Sequence, residues 1–341
     1  MSARPKVAIT HRVFDSVKDL LSRHCEVVAN EEIESWPAEK LLQVSREAQG
    51  LLVFMPDMID EAFLAGCPQL KVIAAALKGY DHIDVAACTR RGVWVTVVPD
   101  LLSQPTAELA LALTLGLVRN IGPGDRLVRS GTFHGWRPVL YGGGLTGKTV
   151  GILGMGRLGQ AFVKLLAGFN CRIIYSDPVK MSPVHEAFFA ISRASFEEVL
   201  SQSDILVVMV PLGPSTLHMI GREALAGMKQ GAYLVNVGRG SVVDEAAVTN
   251  ALEQAQLAGY AADVFEMEDR ARPDHPACVH PGLLAQNERT LFTPHLGSGV
   301  ARTRLEIEMS SAENILQALR GERPRDAINE IAVPSSNDSA S

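Results

Sequence analysis

TVGILGMGRLG (residues 149–159) runs an apolar strand into a glycine turn and then into a helix, and CRIIYSD (171–177) returns as a second strand ending on an acid. Gly154, Gly156 and Gly159 form G-x-G-x-x-G, with Arg157 and Leu158 inside it, ahead of a segment rich in Ala, Phe, Val and Leu. That context provides a tight turn, a point where backbone can approach a pyrophosphate, and a helix N-terminus whose N–H groups meet negative charge. Asp177, eighteen residues beyond Gly159, stands where a carboxylate accepts hydrogen bonds from both hydroxyls of an adenosine ribose. A 2′-phosphate there would meet like charge, and no arginine follows immediately, although Lys180 lies close in sequence. The pattern predicts a unit that binds NAD in preference to NADP.

The same alternation continues outward. Downstream, DILVVMV (204–210), AYLVNV (232–237), GYAADV (259–264) and TLFTP (290–294) read as further strands with helices between them, making six in this half. Upstream, KVAIT (6–10), GLLVFM (50–55), KVIAAAL (71–77) and VWVTVVP (93–99) are strands separated by amphipathic segments such as 12–23, where Val13, Val17, Leu20 and Leu21 recur at helical spacing. Strands that alternate with helices imply parallel sheets, and the fold class is α/β with doubly wound domains. An apolar helix opened by Pro105 and Thr106 runs to about Arg119 and must be buried; a Gly-rich aromatic connector, 131–147, follows it. A last amphipathic helix spans 300 to about 319, and the tail PSSNDSAS has no reason to be ordered.

The 341 residues exceed one ordinary core and suit two domains. With 47% apolar and 21% charged residues the chain can bury sizeable cores, which excludes a disordered protein. Net charge is −6 and no Lys/Arg-rich run stands out, so no nucleic-acid partner is expected. Cys25, Cys67, Cys88, Cys171 and Cys278 are scattered and never spaced C-x-x-C, which suits a reducing compartment rather than a disulfide framework. The N-terminus lacks the apolar stretch of a secretory signal, and Leu109–Val118 falls short of the roughly 20 residues of a membrane span. A cytoplasmic protein without a membrane partner is expected. His275, Cys278 and His280 cluster in a Pro-rich connector without an evident fourth partner, so no metal is expected.

Three segments at successive strand ends carry candidate chemistry: NVGRGSVVDE with Arg239, AADVFEMED with Asp263 and Glu268, and FTPHLGS with His295 and Ser298. Parallel sheets bind ligands at such ends. The Arg239 guanidinium can form paired charge-assisted hydrogen bonds to an oxyanion. His295 supplies an imidazole, the side chain that changes charge nearest neutral pH and suits a general base. Glu268 would hold that ring in one tautomer and stabilise its protonated form.

GILGMGRLG, VNVGRGSVVDEAAV, GYAADVFEMED and FTPHLGS together resemble the D-2-hydroxyacid dehydrogenase superfamily, over nearly the whole chain from Val7 to about Asn329. The resemblance implies Arg239, Glu268 and His295 as the catalytic set. It implies a flavodoxin-like catalytic domain begun by residues 1–99 and completed by 297–330, a Rossmann domain inserted at 100–296, and a disordered tail at 331–341. It also implies a homodimer with the helix from Pro105 and the following segment in the interface. Beyond the glycine turn and Asp177, the implied cofactor site takes in Thr106, Pro211, Val237, Gly238, Arg239, Asp263, His295 and Gly297.

Within the superfamily, ITHRVFD, FMPD, ALKGYDHIDVAACTRRGVWVTVVPDLLSQPTAELA, GWRPVLYGGGL and FEMEDRARPD resemble the phosphonate (phosphite) dehydrogenases. That likeness implies a substrate site of Lys78, Gly79, Arg239, Met55, Leu102, Trp136, Tyr141, Ser298 and Arg304, in which an ammonium joins a guanidinium over a compact anion. It implies oxidation of phosphite to phosphate by water, with hydride passing from phosphorus to the nicotinamide of NAD. The alternatives are a 2-hydroxyacid dehydrogenase of the glyoxylate or hydroxypyruvate reductase type, and a nucleotide-sensing binding protein akin to the superfamily's corepressors.

Overall fold

The computed structural model describes residues 4–98 and 100–331; Pro99, in the expected domain junction, and the expected tail from Ala332 onward lie outside the described residues. The chain divides into two compact units, one running up to Leu102 and resuming at Val300, the other spanning Ser103–Gly299. Both divisions fall slightly later than the expected steps at 99/100 and 296/297. Leu102 packs on the core of the first unit, whereas Ser103 opens the buried helix of the second.

Unit 1 holds five parallel strands, β1 (Lys6–Ile9), β2 (Glu26–Ala29), β3 (Gly50–Val53), β4 (Val72–Ala75) and β5 (Trp94–Val97), in the order β2-β1-β3-β4-β5. β3 and β4 are buried at every position because helices cover both faces, which is why GLLV and VIAA are unbroken apolar runs. Successive residues serve opposite faces. Leu52 packs with Val17, Leu21, Ile307 and Ile315 from the helices Asp15–Ser22 and Ala301–Leu319, whereas Leu51 packs with Leu41, Phe63 and Leu64 on the other side. The strand order reverses between β1 and β3, so the C-terminal strand ends there are the favoured ligand position.

Unit 2 holds seven parallel strands: β6 (Thr149–Leu153), β7 (Arg172–Ser176), β8 (Ile191–Arg193), β9 (Ile205–Val208), β10 (Ala232–Asn236), β11 (Leu257–Ala262) and β12 (Thr290–Phe292). Their order is β12-β11-β10-β9-β6-β7-β8, with the reversal between β6 and β9. Sequence reasoning expects six. The seventh, β8, is three residues, Ile-Ser-Arg, too short and polar to show a period; pairing with β7 makes it a strand. The apolar helix is Ser103–Val118, with Pro105 in the first turn, where a missing N–H leaves no bond unmade. It buries Ala107, Ala110, Leu113 and Leu117 with Val150, Ile152 and Ala261. No helix among the described residues is long and apolar enough to cross a membrane.

One glycine of β6 measures how tightly this layer is packed. A Cβ on Gly151 would lie 2.9 Å from Val199 Cγ1 and 3.0 Å from Ser203 Cβ, at the helix Phe196–Gln202 that covers the strand. Gly151→Ala is expected to destabilise unit 2 by about 1–3 kcal/mol through overpacking. Thermal unfolding followed by circular dichroism should show a melting point several degrees lower, while Gly144→Ala, whose Cβ meets open space, leaves it in place.

Candidate active site

β6 ends at Leu153 and the chain turns through Gly154 at φ +95°, a left-handed value that side chains resist. A Cβ on Gly154 would come 2.9 Å from Met209 O, and one on Gly159 would strike the Gly154 carbonyl, whereas Gly156 faces open space. Packing therefore requires two of the glycines, and the third leaves backbone bare. The helix Arg157–Leu166 starts at Gly156 without a side-chain cap, and the N-terminus of a helix is where backbone N–H groups meet an anion. An uncapped helix N-terminus behind a bare glycine turn fits a pyrophosphate. Arg157 is exposed at the first helical position and Leu158 packs on the core beneath.

Asp177 follows β7. Its Oδ2 accepts from Met155 N at 2.7 Å and its Oδ1 from Val179 N at 2.7 Å. The expected ribose acceptor is thus also a clasp between the glycine turn and the end of β7, and each oxygen keeps a second lone pair for a ribose hydroxyl. Arg193 goes unnoticed in the sequence because it lies on the short strand β8. It donates from Nη2 to Asp177 O at 2.9 Å, and with Lys180 it lines a hollow of about 670 Å³ beside Asp177.

β10, β11 and β12 are adjacent, and their ends gather Arg239, Asp263, Glu268 and His295. Asn236 folds the first of these ends, its Nδ2 donating to Arg239 O at 2.9 Å and its Oδ1 accepting from Gly238 N at 3.1 Å. Val237 is buried beneath, and a Cβ on Gly238 would press on the Val210 carbonyl, next to Pro211. Glu268 sits in one turn of 3-10 helix, Glu266–Glu268, where its Oε1 accepts from Phe265 N at 2.7 Å and its Oε2 lies 2.6 Å from His295 Nδ1. An ionised carboxylate only accepts, so beside one a neutral imidazole carries its proton on Nδ1 and leaves Nε2 as the lone-pair nitrogen. His295 is at φ +55°, a left-handed conformation that needs support from its surroundings. Its N–H donates to Asp263 O at 2.9 Å, and Glu268 fixes the ring.

Asp263 is 2% exposed and accepts from Thr293 Oγ1 (2.6 Å), Leu296 N (2.6 Å) and Gly297 N (2.9 Å). Burial pushes its pKa above the usual carboxylate value, against these hydrogen bonds and the pull of His295. A Cβ on Gly297 would come 3.0 Å from Thr106 Oγ1 and 3.2 Å from Asp263 Oδ2. Three residues expected at the cofactor, Thr106, Asp263 and Gly297, therefore converge, with Ser298 half-buried next in the chain.

In unit 1, Met55 and Lys78 follow the C-terminal ends of β3 and β4, Leu102 follows β5, and Arg304 stands on the helix Ala301–Leu319. Met55 is partly buried beside Phe54, and Arg304 donates to Ala76 O at 3.2 Å, pairs with Glu308 at 3.3 Å and stands 5.5 Å from the Phe54 ring centroid. Lys78 follows two residues after Ala76, exposed and without an ion pair among the described residues, and Gly79 is next. Leu102 packs on the core. Trp136 and Tyr141 are 80% and 74% exposed within unit 2, which gives neither ring a pocket wall of its own. His275 and His280 are occupied by Arg272 O (2.7 Å) and Gly282 N (3.2 Å), and no cluster among the described residues could hold a metal ion.

The clasp makes Asp177 testable in two ways. Asp177→Ala should narrow the preference for NAD over NADP by on the order of tenfold, the cost of one charge-assisted hydrogen bond, and should also weaken NAD because Met155 N loses its acceptor. Fluorescence titration with both cofactors reads each effect. Unchanged discrimination would remove Asp177 from the ribose.

The model of the D-isomer specific 2-hydroxyacid dehydrogenase NAD binding domain matches residues 111–297. The chain is 37% identical over 335 residues to a glyoxylate reductase of Aeropyrum pernix, covering 97% of both. Among solved structures, the TT0316 protein of Thermus thermophilus aligns with a TM-score of 0.86 at 33% identity, over 95% of this chain and 100% of that one. The NADPH-dependent glyoxylate/hydroxypyruvate reductase of Sinorhizobium meliloti, solved with NADP and malonate, aligns at 0.82 and 26% identity over 96% and 97%. Unit 2 is thus an NAD-binding domain, and the chain belongs to the D-isomer specific 2-hydroxyacid dehydrogenase family.

Proposed function

We propose that the protein oxidises phosphite to phosphate with NAD. The observation that carries this reading is Lys78, an exposed ammonium without an ion pair among the described residues just beyond the end of β4, where the likeness to the phosphonate dehydrogenases implies a substrate cation. A monocarboxylate is matched by one guanidinium, whereas an anion approaching two charges calls for more fixed positive charge. The likeness of FMPD, ALKGYDHID and FEMEDRARPD to the phosphonate dehydrogenases points the same way.

Phosphite, water and NAD⁺ give phosphate, NADH and a proton. The P–H bond breaks with its electron pair leaving as hydride, a P–O bond forms from water, and bound NAD⁺ supplies the hydride acceptor. His295 takes the water proton at Nε2, and the ionised Glu268 at Nδ1 stabilises the imidazolium that results. In unit 2, Arg239 holds the oxyanion and offsets charge that develops on it. The exposed apolar side chains Ile121, Val128, Phe133, Trp136 and Tyr141 support a homodimer that covers this segment.

The names of the relatives favour a second reading, reduction of glyoxylate or hydroxypyruvate, in which Arg239 pairs with a carboxylate and His295 donates a proton. Of the two, the comparisons with known proteins back this one. A purely nucleotide-sensing role leaves the Glu268–His295 pair without a purpose.

NAD reduction in the presence of phosphite, with phosphate measured as product, against a panel of 2-hydroxyacids and 2-oxoacids, separates the readings. Lys78→Ala should lower kcat/KM for phosphite by on the order of 10²–10³ and leave NAD affinity intact; normal turnover would remove Lys78 from the substrate site. Oxidation requires neutral His295 and should slow in acid, whereas reduction requires it protonated and should slow in alkali. A flat profile in both directions excludes His295 as the proton carrier.

A further inference from the structure

We infer that Arg272 is a positioning residue, holding the loop that bears Arg239 and the turn that bears Glu268 in one register through a part-buried frame with Glu266, Ser241 and His218. The inference rests on the roles proposed above for Arg239, Glu268 and His295. By sequence Arg272 is a connector arginine two residues before an acid, and nothing in the pattern distinguishes it from a solvated ion pair.

Its position is otherwise. The side chain is 14% exposed, and Nη1 donates at 2.8 Å both to Ser241 Oγ and to Glu266 Oε2. Ser241 is two residues past Arg239 and Glu266 two before Glu268, so a single nitrogen ties together the two segments that present the proposed oxyanion donor and the histidine's partner. The segments touch directly: a Cβ on Gly240 would run into the backbone of Phe265 and Glu266. Asp269 Oδ2 accepts from Ser241 N at 2.6 Å. His218 completes the frame, its Nε2 lying 2.8 Å from the same Glu266 oxygen and its N–H donating to Ser241 O at 2.8 Å.

Glu266 and Glu245 exchange backbone-to-carboxylate hydrogen bonds of 2.9 and 3.0 Å, which sets two acids side by side in the interior. Burial opposes ionisation of Glu266, but the Glu245 amide, His218 and Arg272 outweigh it and hold the pKa below the ordinary value. For Glu245, burial dominates and the pKa rises. The frame is thus built around the Glu266 carboxylate, and Arg272 is the guanidinium that compensates it. On its outer side Arg272 also pairs with the exposed Asp274 at 3.1 Å, which leaves Nη1 committed inward.

Removing that compensation should let the two segments drift, and displacements near 1 Å cost on the order of 10²-fold in rate. The test uses Arg272→Met, Arg272→Lys and Ser241→Ala in the full chain, with phosphite or glyoxylate, whichever the wild type turns over. Arg272→Met should lower kcat by on the order of 10–10²-fold without weakening NAD. Arg272→Lys should recover part of the loss, and Ser241→Ala, which removes only one acceptor, should show a smaller loss in the same direction. Combined with Glu268→Gln, Arg272→Met should cost less than the sum of the two separate losses, because part of its effect passes through the Glu268–His295 pair. An NMR titration of the His295 ring, made without substrate, should shift in Arg272→Met.

Full additivity with an unmoved His295 titration would reduce Arg272 to a structural ion pair and overturn the inference. A wild type inactive on both anions would instead sink the proposed function, while the titration still decides the role of Arg272. Should Arg272→Met fail to fold, Ser241→Ala and Arg272→Lys carry the same comparison.

Discussion

The 2.6 Å contact between Glu268 Oε2 and His295 Nδ1 joins the ends of β11 and β12, and most of the surrounding architecture serves to make it possible. Glu268 can offer that oxygen because its other one is taken by Phe265 N, and the imidazole can meet it because the backbone of His295 is held in a left-handed conformation by Asp263. Asp263 in turn is buried and satisfied by Thr293, Leu296 and Gly297. Removing any of these supports leaves either a buried acceptor unpaired or a strained residue unsupported, so the hydrogen bonds are cooperative rather than a list of separate contributions.

Much of this is legible in the sequence, for identifiable reasons. Parallel strands buried on both faces are continuous apolar runs, so β3, β4, β6 and β9 stand out, and the glycine turn is legible because steric demand leaves no other residue at Gly154 and Gly159. Sequence reasoning misses β2 and β8: one starts on an exposed glutamate and the other is three residues long, so pairing rather than pattern makes them strands. The grouping of Arg239, Glu268 and His295 follows from their positions at successive strand ends. The clasp of Asp177 on Met155 and the frame around Glu266 depend on contacts 22 and 21 residues apart in the chain, which no local spacing announces.

Substrate identity is a question about charge on this scaffold. Under either proposal Arg239 meets the anion, whereas Lys78 and Arg304 belong to unit 1, where Arg304 is paired with Glu308 and Lys78 is exposed. Arg304 is tethered to a backbone carbonyl, to Glu308 and over Phe54, so its guanidinium is fixed, whereas the ammonium of Lys78 is exposed on a flexible stem.

The sheet of unit 2 ends in three-residue strands at both margins, β8 on one side and β12 on the other. Margins that short offer little unpaired backbone for another chain to extend, which is a common defence against edge-to-edge aggregation. Margins of this kind disfavour association of this unit by ladder growth.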